Sequence, residues 1–132
     1  MELGVNVRLL DSDKFEVNTQ ATKARFYIGK KRKGMVSQGS NSLELFFYSL
    51  GSCIVFYVRK YLEDIRIVFE NLNMVLSAEL SQVVSLRLVN IKAEILTDAE
   101  LNVRKDVFLR FIKNCPIHNT IVHTEGVNIS LR

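Results

Sequence analysis

Two side chains in this sequence are nucleophiles in their own right: Cys53 and Cys115, the only cysteines among 132 residues. A thiolate attacks electrophilic oxygen or sulfur, and two thiols together can cycle between dithiol and disulfide. Cys53 follows Gly51-Ser52 in an apolar run, and Cys115 precedes the single proline, Pro116. Glycine in a helix interior costs about 1 kcal/mol against alanine, so Gly51 marks a break or a close approach. A break there places Cys53 in the first turn of a new helix, where free N–H groups and the helix dipole favour the thiolate. Pro116 suits the first position of a helix and so sets Cys115 at its cap. The plainer alternative is that each cysteine is a small buried hydrophobe.

Other residues could assist. Asn41-Ser42-Leu43-Glu44 reads as an N-cap followed by its capping glutamate; the functional alternative brings the Glu44 carboxylate into a thiol pocket to accept a hydrogen bond from an arginine. Cys53, Cys115, His118 and His123 add up to four zinc-type ligands. Zinc sites, however, pair their ligands closely, and only Cys115-x₂-His118 is close while Cys53 stands far upstream. No metal is therefore expected; His118 reads as a helix-start or pocket residue and His123 as a loop residue. Lys23 to Lys33 holds six basic and no acidic residues. The four adjacent charges lack interleaved aromatics, so a solvated loop is expected there rather than a nucleic-acid site.

The elements that must position these groups follow from hydrophobic spacing. Phe15, Val17, Thr19 and Ala21 alternate, as do Ala24, Phe26 and Ile28, with turns at Asp11-Ser12-Asp13 and around Gly29. A basic, then Gly/Ser-rich loop runs from Gly29 to Ser40. From Asn41 to Leu62 the spacing becomes helical, and apolar residues on several faces predict a helix buried on most sides. Alternation returns at Leu72, Met74, Leu76 and Ala78, and at Val89, Ile91, Ala93 and Ile95. Phase slips at Phe69 to Leu72 and at Leu88 to Val89 predict a bulge or bend in each strand. Thr97-Asp98-Ala99-Glu100 reads as a capping box opening a helix to about Asn114, which Pro116 stops. Val127, Ile129 and Leu131 predict a final strand. The order β-β-β, long α, β-β, α, β describes an α+β domain of antiparallel meanders covering central helices.

Composition agrees with one domain spanning 1–132. Hydrophobic residues make up 48% and charged residues 24%, enough to build a core and too apolar for a disordered tail. Lys and Arg number 18 against 14 for Asp and Glu, a net charge of +4 that permits nucleic-acid binding without demanding it. The start, MELGVNVRLLDSD, lacks the apolar core of a signal peptide. The most apolar stretch, Leu43 to Leu62, is interrupted by Glu44, Gly51, Ser52 and Arg59-Lys60, short of the roughly 20 uninterrupted apolar residues of a membrane span. A cytoplasmic location with reduced thiols is expected, and there a cysteine pair is more often catalytic or redox-active than a structural staple.

These residues resemble the OsmC/Ohr family, named for osmotically inducible protein C and organic hydroperoxide resistance protein. Its central signature, Asn-Pro-x-Glu-Leu followed by an apolar stretch and Gly-Ser-Cys, is matched by Asn41-Ser42-Leu43-Glu44-Leu45 and, nine positions after Glu44, by Cys53. Its second signature, Cys-Pro-Val-His, is matched by Cys115-Pro116-Ile117-His118, which places the chain in the branch with Cys-Pro-x-His. The resemblance implies an OsmC-like fold, with sheets wrapped around central helices in an intertwined homodimer. It implies a peroxidase in which Cys53 attacks an organic hydroperoxide and Cys115 captures the sulfenic acid as a disulfide. Glu44 supports the site, and a dithiol, lipoyl-linked in one branch, reduces the enzyme without metal or organic cofactor. The six aromatics Phe46, Phe47, Tyr48, Phe56, Tyr57 and Tyr61 fit an apolar pocket, although aromatics at helical spacing are more often plain core. Ser42 stands where the family has proline. Where it carries an arginine near the first hairpin turn, this chain has Lys14, which supplies charge without the bidentate fork; Arg25 or Arg8 are the alternative partners. The runner-up reading is a catalytically silent relative that binds a small apolar ligand.

Overall fold

The computed structural model describes residues 3–11, 14–19, 23–27, 42–83, 85–101 and 105–132. The basic loop from Gly29 to Ser40, the turn residues Ser12 and Asp13, the expected strand ends at Ala21 and Ile28, and the cap residue Asn41 lie outside these. The chain divides into two compact units, Met1–Phe46 and Phe47–Arg132.

The first unit is an antiparallel meander of β1 (Asn6–Asp11), β2 (Lys14–Asn18) and β3 (Lys23–Tyr27), in that spatial order. Val7 pairs with Val17 and Leu9 with Phe15, with a register shift between Leu9 and Asp11. Glu16, on the middle strand, is opposite Arg8 on one side and Arg25 on the other. Its carboxylate is buried and lies 3.6 Å from the Arg8 guanidinium, and it accepts a hydrogen bond from Asn18 Nδ2 at 3.3 Å. A buried carboxylate needs such partners, because desolvation otherwise penalises its charge. Leu3, Val5, Val7 and Leu9 alternate along the N-terminal segment and are all exposed.

Helix α1 (Ser42–Asp64) begins in the first unit and forms the spine of the second. Leu50, Ile54, Val58, Tyr61 and Leu62 recur every three or four residues and are its buried stripe. By length and composition alone α1 is apolar enough to cross a membrane, yet this stripe is core. Phe108, Ile112 and Cys115 complete the buried cluster, and Leu72, Met74, Leu76 and Ile95 pack against it. After Asp64 the helix ends in a Schellman turn. Ile67 N–H bonds Leu62 O and Arg66 N–H bonds Glu63 O, with Arg66 at φ 58° in the left-handed position usually given to glycine.

Gly51 does not break α1, contrary to the expectation from its helix-breaking tendency. A Cβ there would lie 2.7 Å from Leu76 Cδ1. The missing side chain lets the following hairpin sit against the helix backbone, so the close approach that glycine permits is what explains the residue.

That hairpin pairs β4 (Leu72–Leu80) with β5 (Leu88–Thr97), Leu72 opposite Thr97 and Leu76 opposite Ala93. Leu72, Met74, Leu76 and Ala78 alternate as half-buried residues. The register shifts once, where the step from Ser77 to Glu79 faces Lys92 back to Val89. Asn90 takes φ 53° in that bulge and donates from Nδ2 to Glu79 Oε2 at 3.0 Å. This is the slip expected near Leu88; the one expected after Phe69 precedes the strand and produces no bulge.

Two short helices follow, α2 (Lys105–Ile112) and α3 (Pro116–His123). The expected capping box opens neither. Thr97 ends β5, and the Asp98 carboxylate accepts from the backbone N–H of Asn71 at 2.9 Å and of Glu70 at 3.1 Å, tying the hairpin's two ends together. Thr97 Oγ1 donates to Asn71 O at 2.8 Å and accepts from Ala99 N–H. Side chains that cap helices satisfy turn amides equally well. The final strand is also absent: beyond His123 no described residue enters a ladder, and Val127, Ile129 and Leu131 are almost wholly exposed. Their alternation makes a strand only when a neighbouring strand supplies the hydrogen bonds.

Candidate functional site

Cys53 and Cys115 are 62 positions apart in sequence and meet in the second unit. Cys53 lies mid-helix in α1, half-buried against the core; Cys115 is fully buried as the residue capping α3. Both are free thiols, and Cys115 is near enough to act on the Cys53 proton. Pro116 occupies the first turn of α3, as its sequence position predicts, and Cys115 is the N-cap. Cys115 N–H is spent on Ile112 O at 3.1 Å, and its carbonyl accepts from Asn119 N–H at 3.0 Å.

Since α1 runs unbroken, Cys53 is not at the start of its own helix, and the stabilisation expected from that position is absent. A weaker counterpart comes from elsewhere: the backbone N–H of Ile117, in the first turn of α3, acts on the Cys53 thiol in the direction of the thiolate. Such an N–H has no partner within its own helix and favours a thiolate. It is outweighed. Burial pushes the Cys53 thiol above its ordinary value, the hydrogen bond with Cys115 adds to the rise, Ile117 opposes it, and the charge interaction with Cys115 raises it further. The Ile117 amide is the functional group that sequence reasoning missed. Pro116 held the signal, because a helix starting there must leave the next amides free.

Of the six aromatics named for a pocket, Tyr61 is buried in the core and Tyr57 packs against it, while Phe46 and Tyr48 are exposed. Tyr61 packs edge-on to Phe108 at 5.3 Å and lies 5.2 Å from Phe111, which also meets Tyr57 at 6.0 Å. Phe56 is exposed. His118 sits in the first turn of α3, with Nδ1 3.2 Å from Lys113 O. His123 ends α3 and is exposed. Glu44 is in the first turn of α1, two and a half turns before Cys53 and suited by its charge to the helix start. Lys14 opens β2 opposite Tyr27, and Arg25 lies opposite Glu16 on β3; Arg8 is engaged with Glu16. Among the described residues no group of three or more His, Cys, Asp or Glu is placed to hold a metal ion.

Comparison with known proteins places this arrangement. The OsmC-like protein family model matches residues 34–132, which include both cysteine motifs. No curated protein matches the chain. Among solved structures, an OsmC-like protein from Mycoplasma pneumoniae superposes with a TM-score of 0.75 at 15% identity, covering 94% of this chain and 89% of that one. A hypothetical protein from Aquifex aeolicus gives a TM-score of 0.68 at 16% identity, over 92% and 88% of the two chains. A Legionella pneumophila protein named as an organic hydroperoxide resistance protein OsmC gives 0.67 at 14% identity, over 92% and 89%. At these identities the structures establish the shared α+β fold. With the family model spanning three quarters of its length, the chain belongs to the OsmC-like family.

Proposed function

We propose that this protein is a thiol-dependent peroxidase acting on organic hydroperoxides. The observation that carries the reading is that Cys53 packs against the buried cluster containing Cys115, near enough for the two thiols to affect each other's protons, in a family to which a neighbour named for hydroperoxide resistance belongs. The Cys53 thiolate attacks the outer peroxide oxygen. An S–O bond forms, the O–O bond breaks, and the departing alkoxide takes a proton to leave as an alcohol. The resulting sulfenic acid condenses with the Cys115 thiol, forming the S–S bond and releasing water. An external dithiol, of the lipoyl type, then reduces the disulfide by exchange. None of these steps requires a metal or an organic cofactor.

Attack needs the thiolate, and burial holds the proton on Cys53. We assign the compensating charge to Lys14 or Arg25, with Glu44 orienting it, in an intertwined homodimer in the cytoplasm. The exposed apolar residues Val7 and Leu9 of β1, and Val127, Ile129 and Leu131 of the C-terminal segment, support such a dimer. Alternating apolar strands left in water are surfaces for strand addition.

The test is intact mass and peptide mapping after one equivalent of an organic hydroperoxide, with sedimentation to give the oligomeric state. Wild type should be a dimer of the 15.1 kDa chain and form a Cys53–Cys115 disulfide rapidly, while Cys53→Ser should not. If both proteins stay reduced, the peroxidase reading fails and the silent, ligand-binding alternative takes its place, as the raised Cys53 thiol would then suggest.

A further inference from the structure

We propose that His118 is a positioning residue for the thiol pair: by tying the first turn of α3 to the end of α2, it keeps Cys115 within bonding reach of Cys53. The proposal rests on reading these cysteines as the working thiols. The last carbonyls of a helix have no partner within it. The carbonyl of Ile112, the last residue of α2, and those of the two turn residues after it are taken up by Cys115 and by side chains of α3. Ile112 O accepts from Cys115 N–H at 3.1 Å, Lys113 O lies 3.2 Å from His118 Nδ1, and Asn114 O accepts from Asn119 Nδ2 at 3.4 Å. A carbonyl only accepts, so His118 Nδ1 carries the hydrogen and donates. Two consecutive side chains of α3 therefore reach back across the turn that carries Cys115.

This matters because little else anchors α3. The helix contributes no fully buried residue; Ile117 and Ile121 are its only side chains packed on the core. An element with so few apolar contacts opens easily, and each hydrogen bond is then a larger share of what holds it. Cys115 and Ile117, the two residues whose groups act on the Cys53 thiol, both belong to this turn. Its position fixes the effective concentration of one thiol at the other.

The experiment measures the intramolecular disulfide against a dithiothreitol redox buffer. The two thiols give up two protons and two electrons, which the cyclic disulfide of oxidised dithiothreitol takes up as it opens to the dithiol. The equilibrium constant for closing the protein disulfide should fall about 3- to 10-fold in His118→Ala and His118→Leu, the range of one lost hydrogen bond. The leucine variant keeps the bulk of the half-buried ring and so guards against loss of the fold. His118→Asn presents Nδ2 where the ring has Nδ1 and should stay within about twofold of wild type. A purely structural role for His118 would lower the melting temperature without moving this equilibrium. The proposal is overturned if His118→Leu stays at the wild-type value, or if His118→Asn falls as far as His118→Leu. No peroxide is used, so a protein inert to hydroperoxides that still shows this pattern refutes the peroxidase reading and upholds the role of His118.

Discussion

Gly51 is where the packing of α1 against the hairpin can be measured most directly. Replacing it with alanine has two effects of opposite sign. Alanine in a helix interior gains about 1 kcal/mol over glycine. The added Cβ, however, would sit 2.7 Å from Leu76 Cδ1, where carbons at rest keep about 3.5–4.0 Å. Leu76 must move by about 1 Å, at about 0.5–1.5 kcal/mol if its side chain leaves its rotamer and about 1–3 kcal/mol if the core is forced apart. Gly51→Ala should therefore range from about 0.5 kcal/mol stabilising to about 2 kcal/mol destabilising. In a Leu76→Ala background the obstruction is gone, and the same substitution should stabilise by about 1 kcal/mol. The cycle predicts a coupling of about 0.5–3 kcal/mol between positions 51 and 76. Urea unfolding followed by helical circular dichroism, at one fixed protein concentration, gives all four values. If Gly51→Ala stabilises equally in both backgrounds, the close approach is not why glycine is there.

Two further outcomes concern the titrating groups. Cys115→Ala removes both interactions through which Cys115 raises the Cys53 thiol and leaves the Ile117 N–H in place, so the pH midpoint for alkylating Cys53 should move down; an upward move would contradict the assigned causes. Asp98 is held below its ordinary carboxylate value, first by the Asn71 N–H and then by that of Glu70. A depressed acid contributes its stability above its unfolded value of about 3.9 and loses it as pH falls through the lower folded value. Protection factors at Glu70 and Asn71, corrected for the pH dependence of intrinsic exchange, should thus be high above that value and fall below it, and in Asp98→Ala they should be low at both; unchanged protection in the variant would sink the assignment.

Much of the scaffold was legible because its signals are local. Alternation at Phe15 and Val17 and at Leu72, Met74 and Leu76 marked β2 and β4, and the three-to-four spacing marked α1, although the helix is buried only along the stripe from Leu50 to Leu62 and not on most sides as expected. Pro116 announced α3. The failures share a cause: one residue type serves two local purposes. Glycine inside a helix marks a break or a contact, and only the position of Leu76 decides. Thr97 and Asp98 can satisfy the amides of a helix or of a neighbouring strand end, and here Glu70 and Asn71, 27 or 28 positions upstream, claim Asp98. The alternation of Val127, Ile129 and Leu131 is real as a pattern. A strand is a property of two segments, though, and no described segment of the chain pairs with this one.

The thiol pair shows the same limit from the chemical side. Nothing in local sequence brings Cys53 and Cys115 together across 62 positions; the resemblance of two motifs did, and the fold places both in one cluster. What local sequence misassigned was the source of the amide. The stabilising N–H comes from the helix that Cys115 caps, so a single short turn delivers the partner thiol and the opposing hydrogen bond to the same sulfur. The two act against each other on the proton: contact with Cys115 holds it on Cys53, and Ile117 favours its loss. Oxidation removes the first effect, because a sulfenic acid or a disulfide no longer shares a thiol proton. Burial, the larger cause, holds the proton as well, so the proposed attack calls for a basic group to tip Cys53 toward the thiolate. For that reason charge at Lys14 or Arg25 belongs to the proposed mechanism as much as the cysteines do.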